Sequence, residues 1–416
     1  HTGDGGTSNT IYGKNAGDAL DSGGNYNVFL GEEAGSAMAT GTNNIAIGYG
    51  AFDAADAGED DCIAIGLNAL GNLNHASSVR NIAIGSGAGD GMGTLAGSTD
   101  NLFIGYDAGG GTWATAVSTH NIGIGDYALD AAMNGSLYNI AIGHTALTDL
   151  TTGDYNVVVG SDAGIELSTG SSNVFIGTSC GNETVDVDNC VGIGTNTFWN
   201  GNMTSDCDGS VGIGFNTLRT LISGQGNVAI GYQAMYAEDD GDFCVAVGHQ
   251  ALEAQAGTTG TVANTAVGYQ AGAGLTSATG TTAIGYKAGG AATMTGVVNT
   301  LIGSMAGAAI TSGEYNTIVG ADAGDAITIG AQNIALGNNA LASETIGNRA
   351  VAVGAYALFS QVSDSDNEDT GNTAVGNAAG YYNVTGTNNT YLGRGAGLGA
   401  TGNSNSNNTA VGKDAM

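Results

Sequence analysis

Twenty-three times along the chain, a short apolar run ends in a glycine: "NIAIGYGAF" from Asn44, "NIAIGSGAG" from Asn81, "NVAIGYQAM" from Asn227, "NTAVGNAAG" from Asn372. The glycines run from Gly13 and Gly31 through Gly143 and Gly231 to Gly393 and Gly412, and 11 of the 22 intervals between them are 17 residues, the rest 18 to 22. A floor with scattered insertions describes a fixed structural coil carrying variable loops, and an internal period of this kind overrides any domain count taken from length. With positions counted from the repeat glycine, position −1 is Ile, Val or Leu in 22 copies, Tyr12 being the exception. Position −3 is Val, Ile or Leu in 15 copies and Thr in eight, position −4 is Asn in 17, and position +3 is Ala in 20.

β-branched residues at alternate positions make a short strand, which the glycine ends at a tight corner. Seventeen residues leave no room for two helices, and a Gly-rich, β-branched unit disfavours even one. The fold class is therefore all-β: a parallel β-solenoid, or β-roll, of about 23 coils with 17–22 residues per coil. One repeat domain spans 1–416, with half-coils at 1–8 and 413–416. At ~4.8 Å per coil the rod is roughly 110 Å long. The Asn column has a physical reason in such a stack, because amides one strand apart hydrogen-bond along it. Asn44, Asn81, Asn101, Asn121, Asn139, Asn156 and Asn173 are the expected ladder. No charged residue occurs at the four positions before any repeat glycine, so both faces of each strand are apolar. Such strands are ordinarily covered on both faces. One face lines the solenoid, and the other is expected to meet a second wall or another chain, with a lateral trimer as the hypothesis.

The "N-x-A-I-G-x-x-A" units resemble the head repeats of trimeric autotransporter adhesins, the YadA-like heads, and related runs in phage tail-fibre-like proteins. The resemblance covers the whole chain. It implies three chains side by side, each a left-handed parallel β-roll, presenting an elongated surface outside the cell that binds a host-surface receptor or glycan.

Composition excludes several other functions. Lys and Arg number seven against 38 Asp and Glu, a net charge of −31. That balance argues against nucleic acid and anionic membrane as partners, both of which require a basic footprint. No apolar run approaches the ~18 residues of a membrane-spanning helix. The seven basic residues are scattered, His144 and His249 lie six coils apart on turns, and no phosphate loop, zinc spacing or nucleophile motif occurs. An enzyme is not expected, and no cofactor is required. Two acidic loops, Asp364, Asp366, Glu368 and Asp369 in one and Glu238, Asp239, Asp240 and Asp242 in the other, supply oxygen ligands of the kind Ca²⁺ takes, although the EF-hand spacing is absent. The alternative is a solvated acidic loop. Trp113 and Trp199 lie in long loops, as sugar-stacking platforms or packed over the coil. The five Cys are an odd number, so at least one is free or pairs between chains. The eight Thr at position −3 read as core-compatible residues, against the alternative of a water-ordering ladder.

The last residues, Lys413, Asp414, Ala415 and Met416, repeat a coil's opening turn, while the stretch from His1 through Gly6 to Asn9 repeats a coil's close. Joined head to tail they restore the 17-residue interval, 4 + 13, between Gly412 and Gly13. Two readings follow: copies that complete each other's coils and grow into a filament, or a segment of a longer array, the N-terminus being processed or truncated. The expectation is a structural fibre subunit, outside a cell or on a virion, that self-assembles head to tail into a filament through complementary uncapped solenoid ends. A trimeric adhesin head or tail-fibre shaft is the alternative.

Overall fold

A computed structural model describes residues 6–55, 58–93, 97–113, 116–256, 260–290, 293–366, 368–400 and 405–416. The chain is a parallel β-solenoid whose regular strands are three residues long and end at the repeat glycines. Two compact units are built this way, residues 1–210 and 211–416. Among the described residues, eleven such strands fall in the first, from Thr10–Tyr12 to Val191–Ile193, and twelve in the second, from Val211–Ile213 to Thr409–Val411. Pairing is parallel and in register by repeat position: Val28, Phe29 and Leu30 face Ile45, Ala46 and Ile47, which face Ile63, Ala64 and Ile65. Two further strands, Gly241–Asp242 and Gly260–Thr261, pair in parallel in the second unit.

The corners explain the glycine. In each of the 23 coils the residues at −5, 0, +2 and +4 have positive φ. At +2 and −5 the position is often Asn or Asp, which tolerate that region, but many other residues occupy it. Position 0 stands apart, as Gly48 shows. Its φ is +137°, and a Cβ there would lie 2.2 Å from the carbonyl oxygen of Gly66 on the next coil. Backbone and neighbour both demand a missing side chain.

Inside the coil, the residues at −2, +3 and +7 meet. Phe29, Ala34 and Met38 are fully buried, as are Ala141, Ala146 and Leu150. Large side chains are exchanged between −2 and +4. Where −2 is Phe29, Phe103 or Phe175, +4 is Gly35, Gly109 or Gly181; where −2 is Ala46, Ala64 or Gly192, +4 is Phe52, Leu70 or Phe198. No coil carries a large residue at both. Where both are small, neighbours fill the space: the missing Cβ of Gly89 points at Leu70 and Phe103.

Candidate assembly face

Because −2 points inward, −1 and −3 point out. Their burial pattern is uniform: the central residue of nearly every strand is buried, and its neighbours are half-buried or exposed. In the first unit this outer face is two columns of Ile, Val and Leu, interrupted only at Thr10 and Tyr12. In the second unit the −3 column turns largely to Thr: Thr265, Thr282, Thr300, Thr317, Thr373, Thr390 and Thr409. All seven are half-buried or exposed on the outer face. The core-compatible reading of these threonines is therefore corrected: the inward position of each strand is −2, and the hydroxyls lie on the other side. Each of Ile84, Ile142, Ile176, Ile230 and Ile284 leaves 37% of its surface exposed. Large apolar side chains also flank the strand, Tyr138, Tyr155 and Phe243 at −5 and Tyr106, Phe215, Tyr232 and Tyr286 at +1.

Rings in these flanking columns stack along the coils. Phe215, Tyr232, His249, Tyr269 and Tyr286 form one series, with centroids 4.8 to 5.5 Å apart and interplanar angles of 10° to 24°. His120, Tyr138 and Tyr155 form another. His144 sits on an exposed turn as expected, its Nδ1 3.7 Å from Asp162.

The expected Asn ladder lies at the edge of this face and is buried. The Oδ1 of Asn44 accepts the Cys62 N–H at 2.9 Å, and its Nδ2 donates to the Glu59 carbonyl at 2.7 Å. From Asn81 through Asn101, Asn121, Asn139 and Asn156 to Asn173, each amide Nδ2 after the first also donates to the Oδ1 of the Asn one coil earlier, at 3.0 to 3.2 Å. Every rung thus pairs backbone groups that a buried strand end would leave without partners. Cys62, Cys190 and Cys244 stand in the same column, and all five cysteines are buried, with no disulfide between them. Burial pushes the Cys62, Cys180 and Cys207 thiols up to about 12, and those of Cys190 and Cys244 to about 11.

The acidic loops are not gathered as the Ca²⁺ expectation required. Glu238 is fully buried. Its Oε1 accepts the N–H groups of Gly241 at 2.7 Å and Asp239 at 3.1 Å, while Oε2 accepts the Gln255 amide. Burial raises its carboxyl above the usual range. Asp240 accepts the Ser223 hydroxyl at 2.7 Å and Asp242 the Gln225 N–H at 3.0 Å, so both reach back to the preceding coil. In the other loop Asp369 pairs with Arg349, Glu368 accepts the Asp364 N–H at 3.0 Å, and Asp364 and Asp366 are exposed. Among the described residues no group of three or more His, Cys, Asp or Glu is placed to hold a metal.

Sequence reasoning missed a second buried carboxylate of the same kind. Glu344 accepts the N–H groups of Thr345, Ile346 and Gly347 at 2.8 to 3.1 Å and the Gln361 amide at 3.1 Å. Both are Glu-x-x-Gly at position +7 with a Gln one coil later, and both Gln side chains accept from the next Asn of the ladder, Asn264 and Asn372. That spacing was the available signal.

Of the expected assembly ends, His1 lies outside the described residues. Asn9 accepts the Asn27 N–H at 2.8 Å and donates to Gly24 at 2.7 Å, with Gly6 half-buried beside it. Lys413 is 3.6 Å from Asp414, which is 3.7 Å from Arg394. The Ala415 carbonyl accepts the Gly397 N–H at 2.8 Å, and Met416 is exposed. Trp113 packs edge-on against Phe103, centroids 5.8 Å apart, and is buried, which settles the choice for that ring in favour of packing over the coil. Among the described residues no helix is long and apolar enough to cross a membrane.

No protein-family model matches the chain, and no curated protein matches it in sequence.

Proposed function

We propose that this chain is a non-enzymatic structural protein that works by side-by-side association of copies through the −1 and −3 columns. The supporting observation is that the outer columns of the strand sheet are uncharged and exposed or half-buried, aliphatic in the first unit and aliphatic with threonine in the second, on a chain of charge −31. Contiguous apolar patches of this kind mark interaction surfaces. A second copy fits best. It offers the same uncharged columns at the same rung spacing, so side chains interdigitate along the length, while acidic surfaces elsewhere repel other docking modes. Three copies around one axis is the arrangement consistent with the resemblance to YadA-like heads. The setting is outside a cell or on a virion, as a fibre.

The adhesin or tail-fibre reading shares this lateral assembly and adds a host-surface receptor or glycan. Sedimentation tests the common part. Wild-type chain should run as a defined oligomer, and Ile142→Glu with Ile176→Glu should run as a folded monomer, because a carboxylate at either site reaches water only on a lone chain. A wild-type chain that stays monomeric at high micromolar concentration would overturn the proposal.

A further inference from the structure

We propose that two stacked tyrosine pairs, Tyr138 with Tyr155 and Tyr269 with Tyr286, are sites of oxidative coupling to dityrosine, with peroxide and a peroxidase-type one-electron oxidant as co-reactants. In the first pair the ring centroids are 5.3 Å apart and the planes 5° from parallel; in the second, 5.5 Å and 10°. All four rings are 44 to 57% exposed, so an oxidant reaches them. Each pair spans adjacent coils whose backbones are held one rung apart, the Tyr155 N–H donating to Leu137 at 2.9 Å and the Lys287 N–H to Tyr269 at 2.9 Å. Reactants held this way meet at an effective concentration that separate chains do not reach.

The chemistry balances without any further group. Each phenol gives up one electron and its hydroxyl proton, leaving a phenoxyl radical with density at the ortho carbons. The two radicals join by an ortho carbon–carbon bond, and the two displaced ring hydrogens move to the phenoxyl oxygens as the rings regain aromaticity. The pair has lost two electrons and two protons. Peroxide accepts them, its oxygen–oxygen bond breaks, and two waters form. The product is a covalent tie between neighbouring coils, closing a loop of one repeat.

Two other tyrosines serve as internal controls. Tyr26 and Tyr315 occupy the same column as Tyr138 and are similarly exposed. Their column neighbours are Ser8 and Asn43, and Val298 and Gln332. Neither has a tyrosine one rung away.

The test treats the full chain, at high dilution and with the Ile142→Glu, Ile176→Glu background run in parallel, with peroxidase and peroxide. Expected results are dityrosine fluorescence, a mass loss of two hydrogens per bridge, and cross-linked peptides joining 138 to 155 and 269 to 286. Tyr155→Phe and Tyr286→Phe should each abolish one bridge, and phenylalanine already occupies both columns at Phe243 and Phe215. Oxidation without these bridges, or coupling of Tyr26 and Tyr315 at an equal rate, would overturn the proposal. The monomeric background separates it from the assembly reading, since intrachain bridges form with or without lateral association.

Discussion

The ring of Phe29 occupies the space that a side chain on Gly35 would need: a Cβ at Gly35 would lie 2.8 Å from the ring. One coil later the arrangement is reversed, with Ala46 at −2 and Phe52 at +4, both fully buried. The solenoid interior admits one large side chain at this level, from either wall.

This exchange predicts a double-mutant result. Ala46→Phe alone overpacks a filled coil and should cost about 3 kcal/mol. Phe52→Gly alone leaves a cavity and should cost about 3–5 kcal/mol. Together they rebuild the Phe29 and Gly35 arrangement, and the double variant should fall within about 1 kcal/mol of the parent in urea denaturation.

The repeat glycines predict a position-dependent penalty. Gly412→Ala meets no atom within 4 Å, leaving the strain of φ +122°, about 1–3 kcal/mol. Gly48→Ala adds the clash with the Gly66 carbonyl and should be destabilised well beyond that, with local unfolding visible by hydrogen exchange around residues 45–66.

Asn139 predicts the worth of one rung. Its Oδ1 accepts the Asn156 N–H at 2.9 Å and its Nδ2 donates to Gly153 at 2.8 Å. Asn139→Leu strands both backbone groups and should cost about 2–4 kcal/mol. Asn139→Cys should cost less, because Cys62 in this column still places its Sγ 3.7 Å from the Ser78 carbonyl. Denaturation midpoints of the two variants check the order.

Two carboxyls predict pH effects of opposite sign. The hydrogen-bonded Arg80 guanidinium pulls Asp100 down to about 2. A depressed carboxyl contributes stability above its unfolded value near 3.8, lost as pH falls through about 2. Arg80→Gln should return Asp100 to the ordinary range by NMR titration. Glu238 is raised by burial. Its contribution is full below its unfolded value near 4.5 and is lost as pH rises through the raised folded value. Titrating the Glu238 carboxyl by NMR should place its midpoint above 4.5.

The cysteines predict inertness. With thiols at about 11 to 12, the five should resist alkylation at pH 8 in the folded chain and react together on unfolding. Timed mass spectrometry reads this directly.

The strands, their parallel register and the Asn ladder were legible because each is a fixed column relative to one glycine. Which strand face points inward was not read, since Ile–Ala–Ile alternation is apolar on both sides and the small Ala gives no sign of depth. The inverse sizes at −2 and +4 decide it, as Phe29 with Gly35 and Ala46 with Phe52 show, and that relation crosses a turn where strand alternation no longer applies. Glu238 was misplaced for a related reason: it begins an acidic run, yet the run starts at +7, an interior column held by Leu20, Met38 and Leu150 elsewhere.

The exchange of bulk between −2 and +4 also bears on how such a gene varies. Since most coils fill their own level of the interior, one repeat can be duplicated or deleted while the levels above and below still close on each other. Unequal recombination in steps of one coil would then alter the number of rungs and leave the packing rule of every remaining rung intact.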